Sequence, residues 1–262
     1  MSTGLPFEHK IALVTGSGRG IGHAIALHFA RNGADVVVNF FRNRAPAEAT
    51  VQEIQAMGRR CIAVRANMGD IDDIGLLFAE VERAFGGLDI LICNAASGYN
   101  RPALEQKPKG WDWTMNINAR SLLFAAQHAA PLMEKRGGGF IVSISSPGAW
   151  RVLPDYVVVG ASKAALEALT RYLAVELSPK NIVVNAVSPG LVLTDALKHF
   201  DAVRKDERLI ERAIALCPAG RLVMPEDIAN VVAFLCTPAA SMIRGQTILV
   251  DGGYTLPIAG AA

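Results

Sequence analysis

Seven short apolar runs, each followed by an amphipathic stretch, constrain the fold of this chain more than any other feature. IALVTG (11–16), DVVVNF (35–40), RCIAVRAN (60–67), LDILICNAA (88–96), GFIVSISS (139–146), NIVVNAVS (181–188) and QTILVDGG (246–253) are largely continuous rather than alternating. A strand that is apolar on both faces must be covered on both faces, the condition of a parallel sheet between two helical layers. The stretches between them, such as GHAIALHFARNG and IGLLFAEVERAFG, have helical periodicity and end in Gly, which stops helices readily. Strand–helix alternation with right-handed crossovers predicts an α/β chain with a doubly wound parallel sheet of about seven strands. A length of 262 residues suits one such domain spanning 1–262, and no repeat or low-complexity linker divides it.

Charge and cysteine usage narrow the function classes. A net charge of +2 gives no reason to expect a nucleic-acid or anionic-membrane partner. No apolar run is long enough to span a bilayer, and MSTGLPFEHK lacks the apolar core of a signal peptide. The expectation is a soluble, cytoplasmic protein. Cys61, Cys93, Cys217 and Cys236 are scattered without paired spacing, which predicts buried free thiols and no metal site.

The longest departure from alternation is LVLTDALKHFDAVRKDERLIERAIALCPAGRL (191–222), helical and charge-rich, after the sixth strand. Insertions at the carboxyl ends of strands lie where such sheets bind ligands, so this segment is a candidate small helical substrate lid. Leu191, Val192, Leu193, Ala196, Leu197 and Phe200 are its apolar residues, placed either to line a ligand channel or to pack the lid itself.

The first strand runs into TGSGRGIG (15–22) and then into a helix. Glycines 16, 20 and 22 let backbone N–H groups and a helix N-terminus approach a pyrophosphate, which makes the fold Rossmann-like in use as well as in pattern. An NAD enzyme would carry an acid near the end of the second strand for the ribose 2′-hydroxyl. Here the strand ends Asn39-Phe40-Phe41-Arg42, and Arg19 lies inside the glycine turn. Two guanidinium groups without a carboxylate suit a 2′-phosphate, so the expected cofactor is NADPH.

These motifs, followed by CNAAS (93–97), MNIN (115–118), SISS (143–146), a helix with Lys163, and SPGLVLTD (188–195), resemble the short-chain dehydrogenase/reductase family across essentially the whole chain. The resemblance implies that Gly16, Ser17, Arg19, Gly20, Ile21 and Gly22 form the phosphate turn. It places Asn67 and Met68 beside the adenine, Asn94 and Ala95 under the ribose, and Pro189, Gly190, Val192 and Thr194 in the segment that holds the nicotinamide carboxamide. Asn118 matches the family's active-site Asn, and Ser146, seventeen residues before Lys163, matches its catalytic Ser.

The usual acid of that family is a Tyr four residues before the Lys, a position held here by Val159; the available phenol is Tyr156, seven before. Seven residues of helix return to within about 20° of the starting direction. If the helix reaches back to Tyr156, the phenol shares a face with Lys163 but is displaced by about 4.5 Å along the axis relative to the usual site. In conjugate reduction the hydride lands on the β-carbon of an enoyl thioester while charge develops on the more distant oxygen, which suits a displaced acid. This spacing, with NAASG, GWDWTMNINA, GASKAALEALTRYLAVELSPK, TDALKHF and MIRGQTILVDGG, is similar to the NADPH-dependent type III enoyl-[acyl-carrier-protein] reductases of bacterial fatty-acid synthesis. That likeness implies reduction of trans-2-enoyl thioesters on acyl carrier protein by a homotetramer, with Tyr156 protonating the enolate and Lys163 holding the ribose. A 3-oxoacyl or other carbonyl reductase, and a catalytically silent NADPH-binding protein, remain alternatives.

Overall fold

A computed structural model of the chain describes residues 5–194 and 208–256. Seven strands, β1 (Ile11–Val14), β2 (Asp35–Phe40), β3 (Cys61–Arg65), β4 (Ile90–Cys93), β5 (Gly139–Ile144), β6 (Ile182–Pro189) and β7 (Thr247–Val250), form one sheet in the order β3-β2-β1-β4-β5-β6-β7. Every pairing is parallel. Each of the seven runs read from the sequence contains one strand. The order reverses between β1 and β4, so the carboxyl ends of these two strands open a crevice, the usual ligand position in such sheets.

The continuous apolar runs are explained by two cores. Alternate strand residues such as Ala12, Val14, Val36, Val38, Ile90 and Ile92 pack on one face with α1 (Gly20–Arg31) and α8 (Pro225–Leu235). Their neighbours Ile11, Leu13, Val37 and Leu91 pack on the other with α3 (Ile71–Phe85), α5 (Ser121–Glu134) and α6 (Val157–Glu176). Helix α2 (Arg44–Ala56) lies beyond β2, and α4 (Pro108–Met115) leads into α5. Local chemistry sets the helix ends: Asp70 caps α3 by accepting from the Asp72 and Asp73 amides, and Gly86 ends it at φ 77°. At the opposite end of the sheet from the crevice, the buried Asp89 carboxylate accepts from Ile11 N–H (2.9 Å), Lys10 Nζ (3.1 Å) and Arg136 Nε (2.6 Å), so the charge is fully partnered.

The 191–222 excursion is closed at its base. Val192 and Val223 form a parallel bridge, with Leu193 N–H donating to Val223 O and Val223 N–H to Leu191 O. Within it α7 (Leu209–Leu216) packs Ala213 against Leu222, beside Leu191, Ile210 and Tyr254. Ala196, Leu197 and Phe200 lie outside the described residues. The four cysteines are buried and free. Among the described residues no helix is long and apolar enough to cross a membrane.

Candidate active site

At the carboxyl end of β1 the chain turns through Gly16 (φ 63°) and Gly20 (φ 58°), conformations that favour glycine. Gly22 answers a different need. A Cβ there would meet Asn94 Nδ2 at 2.5 Å and Gly16 O at 2.6 Å, so only a bare backbone lets α1 start against the turn. Side chains from three strands hold the turn. Asn39 accepts from Gly16 N–H (3.2 Å) and donates to Val64 O and Ala66 O. Thr15 Oγ1 accepts from the amides of Asn94 and Ala95, and Asn94 Nδ2 donates to Thr15 O and Gly16 O. The Ser17 hydroxyl is buried and donates to Val14 O, and its backbone N–H donates to Asn39 O, so Ser17 braces the turn from within. Arg19 is exposed at the N-cap of α1, whose first turn has no acid, and Ile21 packs on the core. A bare-backbone cradle at a helix N-terminus, free of acids, fits the pyrophosphate of a dinucleotide.

The remaining sequence-predicted cofactor positions border this crevice or brace it. Asn67 Oδ1 accepts from Gly69 N–H, its own amide donates to Asp73, and Met68 is buried in the core. Pro189 ends β6, and a Cβ on Gly190 would strike Asp251 Cβ at 2.6 Å. Val192 sits on the bridge to Val223, and Thr194 reaches the glycine turn, its Cγ2 lying 3.6 Å from where a Cβ on Gly20 would be. Arg42, exposed just after β2, lies over the Trp113 ring at 5.6 Å.

Two titratable groups dock on the end of β5. Lys163 is 5% exposed and donates from Nζ to Ile144 O at 2.6 Å. Burial lowers its pKa to about 8, opposed by Cys93 and Glu167. Tyr156 donates from Oη to Ser146 Oγ at 3.4 Å, and Ser146 Oγ also accepts from Gly148 N–H. Burial raises the phenol's pKa, against the opposing pull of Ser146, so at neutral pH it keeps a proton to give. The helix begins one residue later than the spacing argument assumed: Tyr156 is the N-cap, with φ −102° and ψ 11°, and its carbonyl accepts the first helical bond from Gly160 N–H. Its ring lies over Gly148, where a Cβ would come within 2.6 Å of Cδ1 and Cε1. The neighbouring serines face inward, Ser145 to Glu167 and Ser143 to Thr170.

Val159 occupies the position four before the Lys and is 7% exposed. A Cβ on Gly98 would meet its Cγ2 at 2.3 Å, so this position is closed packing with no room for chemistry. Asn118 lies in a π-helical turn, Asn116–Arg120, of the sort that recurs at functional sites. It clasps Ser97 through both N–H and C=O and donates to Ser162 Oγ, while Trp113 Nε1 donates to Ser97 Oγ. Sequence reading missed Thr15, Asn39, Ser97, Trp113 and Ser162. A polar residue at the end of an otherwise apolar run was the available signal for Thr15 and Asn39.

The family model described as "Enoyl-(Acyl carrier protein) reductase" matches residues 16–255. A hydroxynaphthalene reductase-like protein Arp2 from Metarhizium robertsii is 40% identical over 253 residues, covering 93% of this chain and 94% of its own. The 1-cyclohexenylcarbonyl-CoA reductase of Streptomyces collinus is 37% identical over 249 residues, covering 95% and 88%. Among solved structures, a 7α-hydroxysteroid dehydrogenase complexed with NADH and 7-oxoglycochenodeoxycholic acid superposes with a TM-score of 0.89 at 37% identity, covering 94% of each chain.

Proposed function

Because the chain belongs to the short-chain dehydrogenase/reductase family of NAD(P)-dependent oxidoreductases, we propose that it reduces the carbon–carbon double bond of trans-2-enoyl thioesters with NADPH. One observation carries this reading. The phenol that meets Ser146 is Tyr156, while the place of the usual acid is sealed by Val159 and Gly98. The proton donor therefore stands at the N-cap of α6, seven residues before the Lys, a displacement that suits an acid serving the far oxygen of a conjugated thioester. The family model's description and the name of the cyclohexenylcarbonyl-CoA relative, a conjugated thioester, support it. So does the apolar surface of Trp150, Val152, Leu153 and Val157 around Tyr156, suited to an acyl chain. The same reading makes acyl carrier protein the carrier of the substrate and the enzyme a cytoplasmic homotetramer. Exposed Tyr172 and Val175 on α6 would be covered by such assembly.

The glycine turn with Arg19 and Arg42 would hold the cofactor, the absence of an acid after β2 favouring NADPH. Bound NADPH supplies a hydride, which conjugate reduction places on the β-carbon, leaving charge on the thioester oxygen. Tyr156, whose phenol burial holds still more firmly in its protonated form, donates a hydrogen bond to that oxygen and delivers the proton that quenches the enolate. Lys163, cationic below about pH 8, offers N–H donors to the nicotinamide ribose and a positive field beside the developing charge. Ser146 holds the phenol's direction, and Val159 packs against Gly98 where the family's usual acid would stand.

The hydroxynaphthalene reductase-like relatives favour a second reading, carbonyl reduction with Tyr156 as the acid. NADPH oxidation by the purified protein, measured with a 2-enoyl and separately with a 3-oxoacyl thioester, separates the two. Enoyl turnover lost in Tyr156→Phe supports conjugate reduction; turnover of the 3-oxo substrate alone selects the carbonyl reductase.

A further inference from the structure

Just past the end of β2 an open cleft of about 820 Å³ is lined by Arg42 on one side and by residues of the segment from Tyr99 to Asn116 on the other. The size is that of a small-molecule site. Its lining includes four cations, Arg42, Arg101, Lys107 and Lys109, and one acid, Asp112. None of the four takes part in an ion pair among the described residues. Four like charges gathered around a single carboxylate repel, and an anion in the cleft relieves that repulsion. Four cations less one carboxylate leave a formal +3, which a phosphate monoester at about −2 largely neutralises.

The place of the cleft identifies the anion. Arg42 follows the end of β2, where this class of sheet meets the ribose of the adenosine half of a dinucleotide. Its guanidinium stacks toward Trp113 of α4, joining the two sides of the cleft. Lys107 is the N-cap of α4 and Lys109 lies in its first turn, both exposed. Resting on the NADPH-dependent reading above, we propose that Lys107 and Lys109 form the second wall of a clamp for the cofactor's 2′-phosphate and thereby set its preference for NADPH over NADH. Arg42 supplies the first wall. Arg101 is held back by its Tyr99 stacking and a bond to Glu105 O, and is not part of the clamp.

The test is the dissociation constant for NADPH and for NADH, with 2′,5′-ADP and 5′-AMP as competing probes, in the wild type, Lys107→Ala/Lys109→Ala and Lys107→Arg/Lys109→Arg. Two lost charge-assisted contacts weaken NADPH and 2′,5′-ADP binding by about 10- to 100-fold, less so at high salt. NADH and 5′-AMP binding changes less than twofold, and the Arg pair restores NADPH affinity. Equal losses for NADPH and NADH, or no loss in a wild type that prefers NADPH, overturn the clamp while leaving the cofactor reading intact. A wild type that binds both cofactors alike overturns that reading and the clamp with it.

Discussion

Tyr156 and Lys163, seven residues apart, are both seated on the exit of β5: the phenol on Ser146 Oγ at 3.4 Å and the ammonium on Ile144 O at 2.6 Å. Ile144 ends the strand and Ser146 lies two residues further on. The acid and the cation are therefore spaced by the extended backbone of one segment as well as by the helix that the Tyr caps and the Lys sits in. Moving the acid along the helix moves it along the strand exit too, and each anchor can be perturbed separately.

Gly148→Ala should displace the Tyr156 ring without touching the phosphate turn, because the added Cβ would lie 2.6 Å from two ring carbons. Misplacement of an acid by about 1 Å can cost on the order of 100-fold in rate. Steady-state kinetics should show kcat reduced about 10- to 100-fold, and an NADPH titration should show an unchanged dissociation constant.

Lys163→Met should lose activity and alter the pH dependence of stability in a defined direction. The folded pKa is about 8 against 10.5 for a free lysine, so burying the ammonium costs stability in full below pH 8. The folded state releases its proton first as pH rises, so wild-type stability should climb relative to the Met variant between pH 8 and 10.5. The total is about 3 kcal/mol. Urea unfolding of both proteins across that window checks it, and a flat difference would remove the buried-charge account.

Asn118→Ala should destabilise the fold by about 2 kcal/mol, because it strips partners from the half-buried backbone of Ser97 and the buried hydroxyl of Ser162 together. The Ser97 hydroxyl also receives Trp113 Nε1, so tryptophan emission should shift in the same variant. Denaturant midpoints and emission spectra report the two effects.

Gly22→Ala should close the phosphate cradle. Its Cβ would press on Asn94 Nδ2, Gly16 O and Ser17 Cα at 2.5 to 2.9 Å, forcing apart the groups that shape the turn. NADPH affinity should fall by roughly 100-fold or more, a loss of about 3 kcal/mol in binding. Calorimetric titration measures it directly.

The sequence was most readable where chemistry repeats along the chain. Runs such as IALV and DVVV could only be buried on both faces, so the parallel sheet and its seven strands followed from solvent exclusion alone. The glycine turn, the absence of an acid after β2 and the Tyr156–Lys163 spacing were equally local. Less readable were residues whose roles depend on distant partners. Asn39 looked like a strand end that lacked a carboxylate, yet it bonds Gly16 on one side and Val64 and Ala66 on the other. The π-helical turn at Asn116–Arg120 left no periodicity to read, and Lys107 and Lys109 looked like solvated loop charges.

Sequence by itself thus determined the layers of this protein and the kinds of group at its site, because burial, backbone freedom and residue chemistry act over a few neighbouring positions. Only the tertiary structure decided that Val159 is sealed by Gly98, that Tyr156 caps its helix and turns to Ser146, and that four cations gather around one cleft. Those relations join residues from 10 to 67 positions apart. They exist only once sheet and helices have closed, when packing rather than propensity fixes where each side chain points.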